Sequence, residues 1–154
     1  MFRPMRRVDR ATSKERAYEI LKDSPYGVFT LQGDDDYPYG VPVNHIVIDG
    51  DIYFHVASEG KKFDSLILNN KCGFTAVSSH EVVPEKITTK YASVICMGLA
   101  HIVDGDEKIN ALIEIMKIYA NEFLESNMDN IRNSMKRLKI IKIEVKHITG
   151  KENK

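Results

Sequence analysis

Apolar positions along this chain either alternate with polar ones or recur every three to four residues, which divides it into short strands and a few amphipathic helices. Ala17, Ile20 and Leu21, preceded by Thr12-Ser13-Lys14-Glu15, predict a first helix over about 13–23, ended by Pro25. Gly27-Val28-Phe29-Thr30-Leu31 predicts a strand and Gln32-Gly33-Asp34-Asp35-Asp36 a solvated turn. Residues 39–57 predict a hairpin about Asp49-Gly50, a pair that tolerates the positive φ angles of a type I′ turn. Gly60 to Asn70 predicts a helix with Phe63, Leu66 and Ile67 on one face.

Further on, residues 72–77 predict a strand, a polar loop with Pro84 follows, and 91–103 predicts a long strand with a bulge or close approach at Gly98. The longest helix is predicted over about 106–125, with Ile109, Leu112, Ile113, Met116, Tyr119, Ala120 and Phe123 as its core stripe. A short helix over 129–138 leads to a closing strand over 139–146. There Ile141, Ile143 and Val145 alternate, which argues one buried face and one wet face. Six strands whose helices do not alternate with them argue against a doubly wound fold. They predict an α+β, mainly β arrangement: an antiparallel sheet or small barrel with peripheral helices. No repeat, linker or low-complexity tract interrupts residues 1–154, which predicts a single domain, with residues 1–11 as a basic N-terminal arm.

Composition narrows the partners. The 22 basic and 22 acidic residues balance, so no whole-molecule field attracts nucleic acid or an anionic membrane, and neither is an expected partner. No apolar stretch approaches the roughly 20 residues that span a bilayer. The N-terminus lacks the apolar segment of a signal peptide, so a cytoplasmic location is expected. Cys72 and Cys96 fall in apolar runs and read as buried, inert thiols. His45, His55, His80, His101 and His147 show no ligand spacing for a metal.

The strongest candidate chemistry is an anion cradle at Ser58, Gly60, Lys61 and Lys62. Lysines in the first turn of a helix oppose the macrodipole unless an anion such as a phosphate rests on the N–H groups there. Two solvated surface lysines are the alternative. Val41-Pro42-Val43-Asn44 is the second candidate, since proline in a strand marks an edge with unpaired backbone groups suited to a planar heterocycle. An edge-protecting proline beside a turn asparagine explains the same residues.

Together these pieces resemble the flavin-binding split-barrel proteins related to pyridoxamine 5'-phosphate oxidase, and within them the nitroimidazole-resistance (Nim) family. The resemblance rests on Met5-Arg6-Arg7, Tyr26-Gly27-Val28, the run from Tyr37 to Val43, the run from Ile52 to Asp64, Val83 to Ile95, and Ile148-Thr149-Gly150-Lys151. It spans nearly the whole chain in order. It implies a six-stranded antiparallel FMN-binding split barrel that forms a homodimer, with FMN in a groove at the subunit interface. By the same likeness Pro42, Val43 and Asn44 run past the isoalloxazine ring. His55, Ala57, Gly60, Lys61 and Lys62 lie at the ribityl phosphate, and Tyr91 and Ser93 approach from a neighbouring strand. Several Nim proteins carry histidine directly after the glycine, where this chain has Lys61, a departure that bears on nitroimidazole reduction rather than on phosphate binding.

The implied function is an FMN-dependent reductase passing electrons from a reduced nicotinamide to a small acceptor such as a nitroaromatic. No side chain need act as acid or base there, so the catalytic residue is left unassigned. The alternative is a non-catalytic flavin- or haem-binding module, with His45 and His55 as the histidines nearest the groove.

Overall fold

Seven strands form: β1 (Gly27–Gln32), β2 (Pro38–Val43), β3 (Ile46–Ile48), β4 (Asp51–Ala57), β5 (Lys71–Val83), β6 (Thr88–Val103) and β7 (Leu138–Asn153). In the computed structural model, which describes residues 1–120, 122 and 128–154, they pair antiparallel in the order β2-β1-β5-β6-β7-β4-β3. Laid flat, this order would hold β1 and β4 about 19 Å apart, four strand spacings. Their Phe29 and Phe54 rings instead meet at 5.0 Å between centroids. The sheet is therefore rolled into a barrel, and Phe29, Phe54, Phe74, Ile52, Ile141 and Ile143 fill it.

Six strands were expected and seven are observed, because the first arm of the predicted 39–57 hairpin is broken at Asn44-His45. Before the break β2 pairs with β1; after it β3 pairs with β4. The break has a physical cause in His45, which turns inward to 4% exposure. Its Nε2–H donates to Leu21 O at 2.7 Å, and its own carbonyl accepts the Tyr119 hydroxyl at 2.8 Å. The two ends of the strand order are thus joined through this two-residue step, with Pro42 on an end strand as its missing N–H requires. The Asp49-Gly50 turn forms as expected, with φ of 52° and 84° and Ile48 opposite Asp51.

Two strands run longer than their patterns suggest. The polar stretch before Pro84 continues β5 rather than forming a loop, in register with the start of β6 down to Val83 opposite Thr88. β7 extends to Asn153, and its two faces near the start are both covered, with Ile140 as buried as Ile141. The bulge predicted at Gly98 is present between Met97 and Gly98. A Cβ there would lie 2.2 Å from Glu144 O.

Helix α1 (Lys14–Asp23) is capped by Ser13, whose Oγ accepts the Arg16 N–H at 3.1 Å. Its Ala17, Ile20 and Leu21 pack into the barrel core. Helix α2 (Lys61–Leu68) buries Ser65 and Leu66 while Ile67 is exposed, a face turned by one position from the expected stripe. Helix α3 (Gly105–Tyr119) lies on the outside of the barrel, where Ala111, Leu112 and Ile115 cover Ile46, Tyr53, Val103 and Ile140. Ile109, expected in the stripe, is 42% exposed, and Phe123 lies outside the described residues. Helix α4 (Met128–Met135) leads into β7. Among the described residues no helix is long and apolar enough to cross a membrane.

Candidate functional site

The end of β4 and the start of α2 build the site. β4 closes at Ala57, and the chain turns through Ser58 and Glu59 to Gly60, which caps α2 with φ 111° and ψ 169°. That region is open in practice only to glycine. Among the described residues nothing lies within 4 Å of where its Cβ would stand, so the conformation leaves open space in front of the helix. Gly60 O accepts the N–H groups of Phe63 and Asp64, and among the described residues no side chain caps the turn. The first-turn N–H groups of Lys61 and Lys62 have no partner within the helix and point to its N-terminal side.

The two lysines differ. Lys61 Nζ donates to Asp35 Oδ2 at 2.5 Å, lies 3.9 Å from Asp34 Oδ1 and stands 5.2 Å from the Tyr39 ring centroid. The hydrogen bond to Asp35 raises the Lys61 pKa above its ordinary value and lowers that of Asp35. Among the described residues no carboxylate pairs with Lys62. Its charge joins burial, the larger cause, in lowering the pKa of His55. The residue reaches solvent on the outer face of β4.

The remaining expected residues fall into two groups. Pro42 and Asn44 are exposed at the end of β2, while Val43 packs against the barrel core. The contact of Lys61 with Tyr39 brings the start of α2 beside β2. Ala57 is exposed, two residues after His55 on the same face of β4. Tyr91 and Ser93 lie on β6 opposite Asn153 and Lys151 of β7, while Ala57 at the cradle lies opposite Leu138, 13 or more residues away along that same strand. One chain does not bring them to the Gly60 cradle. Tyr91 instead receives a hydrogen bond from Arg10 at 3.3 Å and lies under Lys151, and Arg10 first, then Lys151, lowers its pKa.

Sequence reasoning missed the partners of these residues. Asp34 and Asp35 read as a solvated turn, yet they hold Lys61. The separation of 26 residues carries no periodic signal that could have found the pair. The arm also folds back, its Ala11 bridging to Lys151 and its Phe2 ring stacked on His147 at 4.7 Å.

Comparison with known proteins bears on this arrangement. The family model for pyridoxamine 5'-phosphate oxidase matches residues 13–152. No curated protein matches the sequence. Among solved structures, the chain is similar to a candidate 5-nitroimidazole antibiotic resistance protein from Bacteroides thetaiotaomicron, at 23% identity and a TM-score of 0.75, covering 92% of this chain and 85% of that one. An FAD-binding protein from Mesorhizobium loti matches at 16% identity and a TM-score of 0.66, over 94% and 98% of the two chains. An FAD- and haem-binding protein from Mycobacterium smegmatis matches at 14% identity and a TM-score of 0.75, over 93% and 72%. At these identities the likeness is one of fold.

Proposed function

Because this chain belongs to the pyridoxamine 5'-phosphate oxidase family, we propose that it is a flavoprotein that holds FMN and passes electrons from a reduced nicotinamide to a small acceptor such as a nitroaromatic. The observation that carries the reading is the uncapped start of α2, where Gly60 leaves open space and Lys62 has no carboxylate partner. A phosphate there takes N–H donors and a cation together. A bound flavin supplies the electron-carrying ring, and the chain supplies its binding and orientation. Lys61 and Lys62 hold the phosphate, His55 lies beside it, and Pro42, Val43 and Asn44 offer edge-strand backbone to the ring. Asp35 competes for Lys61, which makes Lys62 the principal cation. The proteins of similar fold described as binding FAD, or FAD and haem, support the flavin part of this reading.

The cradle opens outward, so the flavin needs a cover. Val77, Ile95 and Met97, each 44–47% exposed on the neighbouring strands β5 and β6, form an apolar outer face. A second copy seated on that face completes a homodimer and brings Tyr91 and Ser93 of one chain toward the cradle of the other. An obligate interface of this kind buries more than about 2,000 Å².

The test is the visible spectrum of freshly purified protein, followed by anaerobic addition of NADH or NADPH and then a 5-nitroimidazole. Two broad flavin bands, bleached by the nicotinamide and restored by the nitro compound, are expected. Flavin that no nicotinamide reduces would leave a binding module without this reductase activity. The exposed imidazole of His55 favours one other reading, a haem-binding module, for which a Soret band replaces the flavin bands.

A further inference from the structure

Leu21 O is one of the last carbonyls of α1, and the residue four positions on is Pro25, which has no N–H to give it. The His45 Nε2–H takes that place at 2.7 Å. The ring packs edge-on against Phe74, with 4.9 Å between centroids, while the Tyr119 hydroxyl holds the His45 carbonyl at 2.8 Å. Among the described residues Nδ1 has no partner. The inward position therefore suits the neutral ring, because a second ring proton finds no acceptor there.

A cavity of about 470 Å³ adjoins His45, between the end of α1, the start of β3 and the end of α3. It is far larger than an imidazole. The other ionisable residues lining it are Lys22 and Asp23 of α1 and Tyr119 of α3, beside apolar Ile46 and Ile118. Phe74 of β5 brings no charge to the ring. Lys22 and Asp23 are exposed, and among the described residues no ion pair engages either. A charged ring in this cavity meets water, the Asp23 carboxylate and the negative end of the α1 dipole, with Lys22 opposing.

The geometry points to a two-position switch: neutral, the His45 ring is turned inward on Leu21 O; protonated, it swings into this cavity toward Asp23. His45 closes the two-residue step that joins β2 to β3, so the swing loosens Asn44 on one side and the Tyr119 end of α3 on the other. Water entering the cavity replaces the donor that Leu21 O loses. The switch stands apart from the flavin reading. Only its reach to Pro42, Val43 and Asn44 as a flavin edge rests on that reading.

Full-length protein labelled with ¹⁵N at histidine is titrated from pH 7.5 to 5 by NMR, the His45 signal being the one absent from His45→Gln. At pH 7.5 one protonated and one bare ring nitrogen are expected, with a nuclear Overhauser contact to Phe74. Below about pH 6.5 the ring should become cationic and lose the Phe74 contact while the amide signals of the sheet stay native. Asp23→Asn should move the midpoint down by about half a pH unit. A ring that stays neutral until the whole sheet unfolds, a cationic ring that keeps the Phe74 contact, or an unchanged midpoint in Asp23→Asn overturns the switch. FMN affinity over the same pH range should fall several-fold further in native protein than in His45→Gln. Equal falls would overturn the link to the flavin edge, and absence of FMN binding at every pH would overturn the flavin reading, with the NMR transition deciding the switch in both cases.

Discussion

Lys61 and Asp35 are joined side chain to side chain, Nζ lying 2.5 Å from Oδ2, so the first residue of α2 is tied to the β1–β2 turn. Both groups are part-exposed, at 37% and 50%, which keeps the pair weak and sensitive to salt. Its consequence is a contest between Asp35 and any anion for one lysine.

If a phosphate occupies the cradle, Asp35→Asn frees Lys61 and FMN binds a few-fold more tightly. Lys62→Ala should weaken FMN more than Lys61→Ala does. Fluorescence titration of FMN measures both, with riboflavin as the ligand lacking the phosphate and indifferent to all three changes. Weaker FMN binding by Asp35→Asn would show instead that the ion pair shapes the site.

Gly60→Ala places a side chain at φ 111°, with open space around it. The cost is therefore backbone strain rather than a clash, about 1–3 kcal/mol. Urea unfolding of the flavin-free protein should show that loss, and flavin affinity should fall as the turn relaxes. Unchanged stability would mean that the turn adopts another conformation freely.

Gly98→Ala acts by a different route. Its Cβ would lie 2.2 Å from Glu144 O in the paired strand β7. Backbone on both sides of the bulge must move apart, at about 1–3 kcal/mol or more. Thermal unfolding should detect it, with a loss similar in flavin-loaded and flavin-free protein if the bulge serves the barrel alone.

His45 sets an acid limit to stability. Burial lowers its pKa below the ordinary histidine value of 6.5, against a smaller opposite effect of the bond to Leu21 O. Among the described residues its Nδ1 has no hydrogen-bond partner, so protonation would bury a charged N–H without an acceptor. The unfolded chain binds this proton more readily, so the contribution is complete above pH 6.5 and is lost as pH falls toward the lowered folded value. His55 is shifted in the same direction. Urea unfolding between pH 7.5 and 5 should show this slope, reduced in His45→Gln and separately in His55→Gln. A slope equal to the native one in His45→Gln would place the titration elsewhere.

Both thiols should resist labelling. Burial pushes Cys72 and Cys96 up to about 12, far from the thiolate form that reacts at neutral pH. A disulfide reagent at pH 7.5 should modify neither in native protein and both in denaturant. Rapid native labelling of either would reveal an opening of β5 or β6.

Much of this architecture was legible in local chemistry. Asp49-Gly50 specifies its turn because two adjacent residues suffice to set two positive φ angles. Ser13 starts α1 through a bond to a residue three positions away. The strand-to-helix junction at Gly60 was legible because a strand end, a glycine and a short apolar stripe stand within a few residues of one another.

Other features needed the tertiary structure. The step at Asn44-His45 splits one predicted strand in two because His45 finds Leu21 O and Tyr119, partners 24 and 74 residues distant. Lys61 is held by a turn that looked merely solvated, and the basic arm lies along β7 through Ala11 and Lys151. Periodicity reports which face of an element is apolar, and so it placed the core strands. It is blind to single polar contacts between elements, whose free energy depends on how the rolled sheet brings distant residues to within hydrogen-bonding distance.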